Sequence, residues 1–258
     1  MEIKEIIENK FGLKVTDVVV LGQGLDSVAY LVNGEYVFKQ SKHEESRMNM
    51  KKEIKVLNYL KGKKLTKDMY FSMSKDEQDR LAQKIALFLK ELHSLDLPDI
   101  EDLELDVVDD YRSDYESLKG TIYSTIPDKI KEYLDNLFRR ILSDERITRY
   151  VKALCHNDLS CNHIIMRNNE VVGIIDFGDV AVTDRDKDFV YLLEDSTEEL
   201  GRDFGLKVLD YYNHPDMESA VMKADLNEEY YPIEQILGGQ AKELDDMYNE
   251  GLSKLMNM

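Results

Sequence analysis

Residues 154–179, LCHNDLSCNHIIMRNNEVVGIIDFGD, hold two carboxylates 18 residues apart, Asp158 and Asp176, each at the end of an apolar run. An aspartate beside a histidine, in a loop that follows a strand, can accept a hydroxyl proton or orient that hydroxyl for in-line attack. Asp158 has this place. The intervening hairpin returns the chain so that Asp176, at the end of VVGIID, is aimed at the same cleft. A metal ion bridging nucleotide phosphates needs such an oxygen ligand. The chemistry implied is phosphoryl transfer, with His163 lying between the two acids. His156 reads as a packing residue beneath the loop, bonded to backbone. The cysteines Cys155 and Cys161 flank the segment and read as reduced, packed thiols.

The composition narrows the partners. Among 258 residues, 52 Asp and Glu outnumber 34 Lys and Arg, for a net charge of −18. Nucleic acid is excluded as a partner, because phosphate backbones require clustered basic side chains. Small cations are favoured, although excess acid also serves solubility alone. At 43% hydrophobic and 33% charged the chain is an ordinary soluble protein. The charged start MEIKEIIENKFGLK has no secretory apolar core, and no apolar run reaches the ~18 residues of a membrane span. A cytoplasmic monomer is expected.

The elements that position the acids follow from periodicity. Ile3, Ile6, Ile7 and Phe11 predict a helix, and VTDVVVLGQG and SVAYLVNGEYVFKQS predict strands broken at GQGLD and VNGEY. A helix over 44–60 carries Met50, Ile54, Leu57 and Leu60. A second over 75–94 places Leu81, Ile85, Phe88, Leu89 and Leu92 on one face. Two amphipathic segments fill 107–144, parted near Gly120 to Pro127. Strands return at 164–167 and 171–176, and the last third is helical and acidic. The order is a small β-rich lobe, residues 1–66, before a larger helical lobe, 67–258. Gly22, Gly24 and Ser27 could let amides and a hydroxyl approach a phosphate, or form a plain turn. No Gly-Lys-Ser/Thr follows, so this is not a Walker A loop. Lys39 could neutralise nucleotide phosphates if Glu53 held it, while Glu44 and Glu45 suit the helix dipole.

CHNDLSCNHII, GIIDFGD and DFVYLLEDS, with GQGLDSVAYLVNGEYVFK upstream, resemble the aminoglycoside phosphotransferases, especially the 2''-O-phosphotransferase branch. The resemblance implies an α+β, protein-kinase-like, two-lobed fold and transfer of the γ-phosphoryl of ATP or GTP to an aminoglycoside hydroxyl, with Mg2+. It makes Asp158 the base, Asp176 the metal aspartate, and Lys39 with Glu53 the phosphate-positioning pair. Ser160 would lie beside the acceptor hydroxyl. His163 stands where kinases use Asn for the second metal; some members of the branch also carry His. Asp188 resembles the aspartate that anchors the catalytic loop from below. Read alone, DRDKD hints at a calcium loop, but Phe189 occupies its glycine position.

Aminoglycosides are polycations, so the acidic lobe supplies the complementary surface. Asp179, Glu194 and Asp195 are expected in the cleft, with Tyr191 against a sugar ring. Glu228, Glu229 and Tyr231 of NEEYYPIE resemble a distal substrate wall. One departure is larger. KVLNYL runs straight into KGKKLTKDMYFSMS, so two strands and the linker that hold the nucleotide base in kinases are expected to be missing after Leu60. Rival readings are a kinase for choline or a macrolide, and a shortened binder of polycations without catalysis.

Overall fold

The computed structural model describes residues 3–23, 27–33, 36–41, 62–95 and 110–258. The chain divides into two units, Met1–Gly62 and Lys63–Met258. In the smaller, helix α1 (Ile3–Phe11) buries Ile7 against Val15 and Val32. Strands β1 (Val18–Gln23), β2 (Ser27–Val32) and β3 (Tyr36–Ser41) form an antiparallel sheet in that order. Asn33 closes β2 in the left-handed region, φ 55. Its side chain accepts from the amides of Thr16 and Asp17 and donates to the Lys14 carbonyl. One asparagine thus ties the entry of β1 to the exit of β2. The expected helix over 44–60 lies outside the described residues, as does most of its connection to the next unit.

The larger unit begins earlier than the sequence suggested. Lys63–Lys64 form a short strand, β4, and Leu65, fully buried, donates its amide to the Ile164 carbonyl. β4 pairs with β6 (Ile164–Arg167), which pairs with β7 (Glu170–Ile174), all antiparallel. A separate ladder joins β5 (Lys152–Cys155) to β8 (Ala181–Asp184), with Cys155 opposite Ala181. β4 and β8 had no clear sequence signal, being two and four residues long.

Helix α2 (Lys67–Ser72) leads into α3 (Lys75–His93), which starts at a capping box: the Ser74 hydroxyl accepts the Glu77 amide and the Glu77 carboxylate accepts the Ser74 amide. Leu81, Ile85 and Leu89 of α3 face Phe204 and Val208 of α8 (Arg202–Tyr212) in one core, which includes Ile164 and Phe189. Phe88 is only half-buried, with its ring edge-on to Phe177 at 6.3 Å. A second core joins α4 (Tyr111–Ile122), α5 (Asp128–Ser143) and α9 (Met217–Ala241) through Leu118, Leu134, Phe138, Ile233 and Ile236, the short helices α6 (Glu145–Thr148) and α7 (Val190–Leu193) coming between α5 and α8 in the chain. Burying a Leu, Ile or Phe contributes roughly 1.5–3 kcal/mol. The strands that carry the acids therefore rest on a stiff floor. Pro232 interrupts the bonding of α9, and α10 (Asp245–Met256) passes there on Gly251, where a Cβ would stand 2.7 Å from the Pro232 carbonyl. Among the described residues no helix is long and apolar enough to cross a membrane.

Candidate active site

The loop between β5 and β6 carries Asp158, Ser160 and His163; the turn after β7 carries Asp176. Register explains their meeting. Ile164 lies opposite Ile174, and the Ile175 amide donates to the His163 carbonyl at 3.0 Å, so the ladder runs up to His163 on one strand and Ile175 on the other. Asp176 then adopts a left-handed conformation, φ 68, which ends the strand two residues before the sequence pattern suggested. His163 Nδ1 lies 2.6 Å from the Asp158 carbonyl oxygen. A carbonyl only accepts, so in the neutral ring Nδ1 carries the proton and Nε2 presents its lone pair. Nε2 lies 3.5 Å from Asp176 Oδ2. Two ligand atoms this close suit one octahedral ion, whose adjacent ligands stand ~3 Å apart for bonds of ~2.1 Å. Mg2+ takes few protein ligands and completes its shell with phosphate and water; Asp176 supplies the oxygen it prefers, and the spacing admits the His163 nitrogen as a softer second donor.

The Asp158 carboxylate lies 3.6 Å from His163 Nδ1. Burial raises its pKa above the usual carboxylate range, His163 opposes that, and Asp179 and Asp176 add to it. The Ser160 hydroxyl is 3.5 Å from His163 Nδ1 and nearly buried. His156 is fully buried; its Nε2 donates to the Ile175 carbonyl at 2.9 Å, and its ring packs on His163 and on Phe177.

Two buried carboxylates hold this loop. Asp188 accepts the amides of His156 at 2.9 Å and Asn157 at 2.7 Å, and also His93 Nε2 at 3.0 Å. Glu199 accepts the Cys161 amide at 3.0 Å. The Cys161 thiol donates to the Glu198 carbonyl, and burial pushes that thiol up to about 12. Cys155 is shifted in the same direction for the same reason. Both thiols are buried and hydrogen-bonded, the surroundings of packed rather than reactive cysteines. His93, Cys155 and Asp188 bring one ligand atom each within 4.8 Å of one another. Both His93 nitrogens are engaged, by Asp188 and by the Tyr212 hydroxyl at 2.9 Å, and the Cys155 thiol donates to the Ala153 and Asp184 carbonyls, so all three groups are already partnered within the fold. His93, Glu199 and Cys161's link to the 198–199 turn carried no sequence signal.

The expected acidic wall divides. Asp179 and Glu194 retain influence at the site: Asp179 acts on Asp158, and Glu194 on Tyr191 and Glu199. Tyr191 is half-buried, and burial, then Asp158, Tyr231, Glu234 and Glu194, raise its hydroxyl pKa. Tyr191 thus feels Asp158 as well as Tyr231 and the unanticipated Glu234. Glu234 lies three residues past Tyr231 on α9, a spacing that could have flagged it. Asp195 is instead occupied: it accepts the Arg202 amide at 2.8 Å at the start of α8. Glu228 is exposed and lies near Arg202. Glu229 turns to α5, bound by Arg140 Nη2 at 2.5 Å and the Tyr133 hydroxyl at 3.4 Å. The reason is helical phase: one residue on α9 rotates a side chain by about 100°. Glu229 is therefore paired within the chain, whereas Asp195 keeps one oxygen on the Arg202 amide and remains largely exposed.

In the smaller unit, Gly22 lies opposite Ala29 beside a bulge in β1, Ser27 opens β2 opposite Ser41, and Lys39 of β3 is also opposite Ala29. Gly24 and Glu53 lie outside the described residues. Among the described residues the sheet has three strands, and none continues it beyond β3.

The model of the phosphotransferase enzyme family, APH, matches residues 57–221. The fold is similar to the gentamicin complex of APH(2'')-IIa, TM-score 0.70 and 31% identity, covering 100% of this chain and 97% of that one. It is similar also to ADP-bound aminoglycoside phosphotransferase APH(2'')-Ib, TM-score 0.69 and 31% identity, over 99% and 97% of the two chains. A GDP complex of aminoglycoside 2'-phosphotransferase-IIIa gives TM-score 0.69 and 26% identity over 99% and 98%.

Proposed function

From the premise that the chain belongs to the aminoglycoside phosphotransferase family, with its kinase-like fold and nucleotide-dependent phosphotransferase chemistry, we propose that it moves the γ-phosphoryl of ATP or GTP to the 2''-hydroxyl of an aminoglycoside. In a bacterial cytoplasm this would confer resistance to the drug. The observation that carries the reading is the meeting of Asp158, with its raised pKa, and the His163–Asp176 pair on one hairpin.

Asp158 orients the acceptor hydroxyl toward the γ-phosphorus and takes its proton as the new P–O bond forms and the bond to the nucleoside diphosphate breaks. A carboxylate whose pKa is raised is a better proton acceptor, provided it is ionised at the working pH. His163 Nε2 and Asp176 would hold Mg2+, which when bound neutralises charge on the phosphates. His156 packs beneath His163 and fixes its ring. Tyr191, Tyr231, Glu194, Glu234 and Asp179 supply the wall that receives amino groups. Gly22, Gly24, Ser27, Lys39 and Glu53 are the residues assigned to the nucleotide.

The test is direct. Purified protein with Mg2+, ATP or GTP, and kanamycin or gentamicin should yield phosphorylated drug by mass spectrometry, with the new group on the 2'' oxygen by NMR. Nucleotide hydrolysis without drug modification would remove the aminoglycoside assignment. Equal turnover of choline or a macrolide would move the substrate to another class.

A further inference from the structure

We propose that Glu199 is a positioning residue for phosphoryl transfer: from outside the catalytic hairpin it holds the Cys161 amide, and so fixes the turn that places Asp158 and His163 relative to each other. The inference rests on the function proposed above.

The turn is short. The Ser160 amide donates to the Asp158 carbonyl at 3.0 Å, and the His163 amide donates to the Ser160 carbonyl at 3.1 Å. Cys161 therefore sits between the two functional residues, and any displacement of its amide reaches both. Asp188 holds the start of the loop at His156 and Asn157. At the Cys161 end the corresponding group is Glu199, only 5% exposed, whose carboxylate accepts the Cys161 amide.

The segment bearing Glu199 is itself fixed. The Ser196 hydroxyl accepts the amides of Glu198 and Glu199, and Lys67 Nζ donates to the Ser196 carbonyl at 2.8 Å. Asp195 accepts the Arg202 amide, across a Gly201 held at φ 94. The Cys161 thiol answers with its own bond to the Glu198 carbonyl. Two bonds run between the segments, both donated by Cys161, its amide to the Glu199 carboxylate and its thiol to the Glu198 carbonyl, so the Asp158–His163 turn is tied to the 194–202 turn at two points. Burial disfavours the ionised Glu199, and nearby Glu194 disfavours it further. The Cys161 amide opposes that cost, so the bond to the turn is what offsets burial of the carboxylate.

The experiment compares Glu199→Gln, Glu199→Asp and Glu199→Ala in the full chain. Gln keeps an acceptor oxygen at the same reach. Asp keeps the carboxylate but withdraws it by roughly 1.5 Å, one carbon–carbon bond. Gln should retain kcat within about threefold, whereas Asp and Ala should lose about tenfold or more in kcat with KM for nucleotide and drug within about twofold. A second readout does not need activity: iodoacetamide should label Cys161 in Asp and Ala at least about tenfold faster than in wild type, with Cys155 unchanged, read by peptide mass spectrometry. If Ala does not fold, Asp carries the test. Unchanged kcat in Asp, equal loss in Gln, or Cys161 still protected in Asp overturns the proposal. A wild-type chain that binds both substrates and transfers nothing overturns the function above, while the labelling still reads the tether, so the two failures separate.

Discussion

The catalytic turn and the three-stranded sheet of the smaller unit are held in opposite ways. The turn's amides at 156, 157 and 161 end on buried carboxylates, Asp188 and Glu199, set in a unit with two apolar cores. The sheet of the smaller unit has, among its described residues, three buried apolar side chains, Ile7, Val15 and Val32, and the polar tie of Asn33. Small apolar clusters open locally at low free energy, whereas a region tied into a large core opens only near the global limit. The turn that carries Asp158 and His163 is thus expected to open only with the larger unit, and the three-stranded sheet to open locally.

The largest effect should come from the turn. Asp188→Ala leaves two loop amides and His93 Nε2 buried without their shared acceptor, and should lower stability by about 3 kcal/mol in urea titration. A loss under ~1 kcal/mol would mean that Glu199 and packing hold the loop without it. Asp158→Asn should cost about 10²-fold in kcat, ~2.7 kcal/mol, with drug binding intact. Its stability should move the other way. Burial raises the folded pKa of Asp158, so its contribution is favourable only below the unfolded value and is lost as pH rises through the folded one. The Asn variant should therefore melt no lower than wild type at pH 7, and the difference should vanish below about pH 4. Lower melting at pH 7 would show that the ionised carboxylate is net stabilising.

Smaller effects belong to the other unit. Inserting the two-strand segment of a relative between Leu60 and Lys61 should tighten ATP or GTP binding about tenfold, ~1.4 kcal/mol, and leave drug affinity unchanged. Nanomolar nucleotide binding by the chain as it stands would refute the shortening as a handicap. Asn33→Ala should cost about 1 kcal/mol locally, seen as faster amide exchange over 14–33 with none over 152–184. Equal changes in both segments would show that the units open as one.

Asp158, His163 and Asp176 were legible because one strand–turn–strand segment carries all three, and strand pairing within it dictates their approach. His156 was legible for the same reason. The helix over 75–94 and the strands near 164 and 171 declared themselves by period, while β4 and β8 were too short to show one. Sequence also marked the 228–231 stretch as acidic and aromatic, yet not which of its members face the site. That depended on the phase of α9 and on Arg140, 89 residues before Glu229. Glu199 meets Cys161 across 38 residues, and His93 meets Asp188 across 95. Local pattern determines where the backbone turns and which side chains share a face. Which distant carboxylate ends on which amide is decided only when the helices pack, because the packed core sets the direction in which each side chain points.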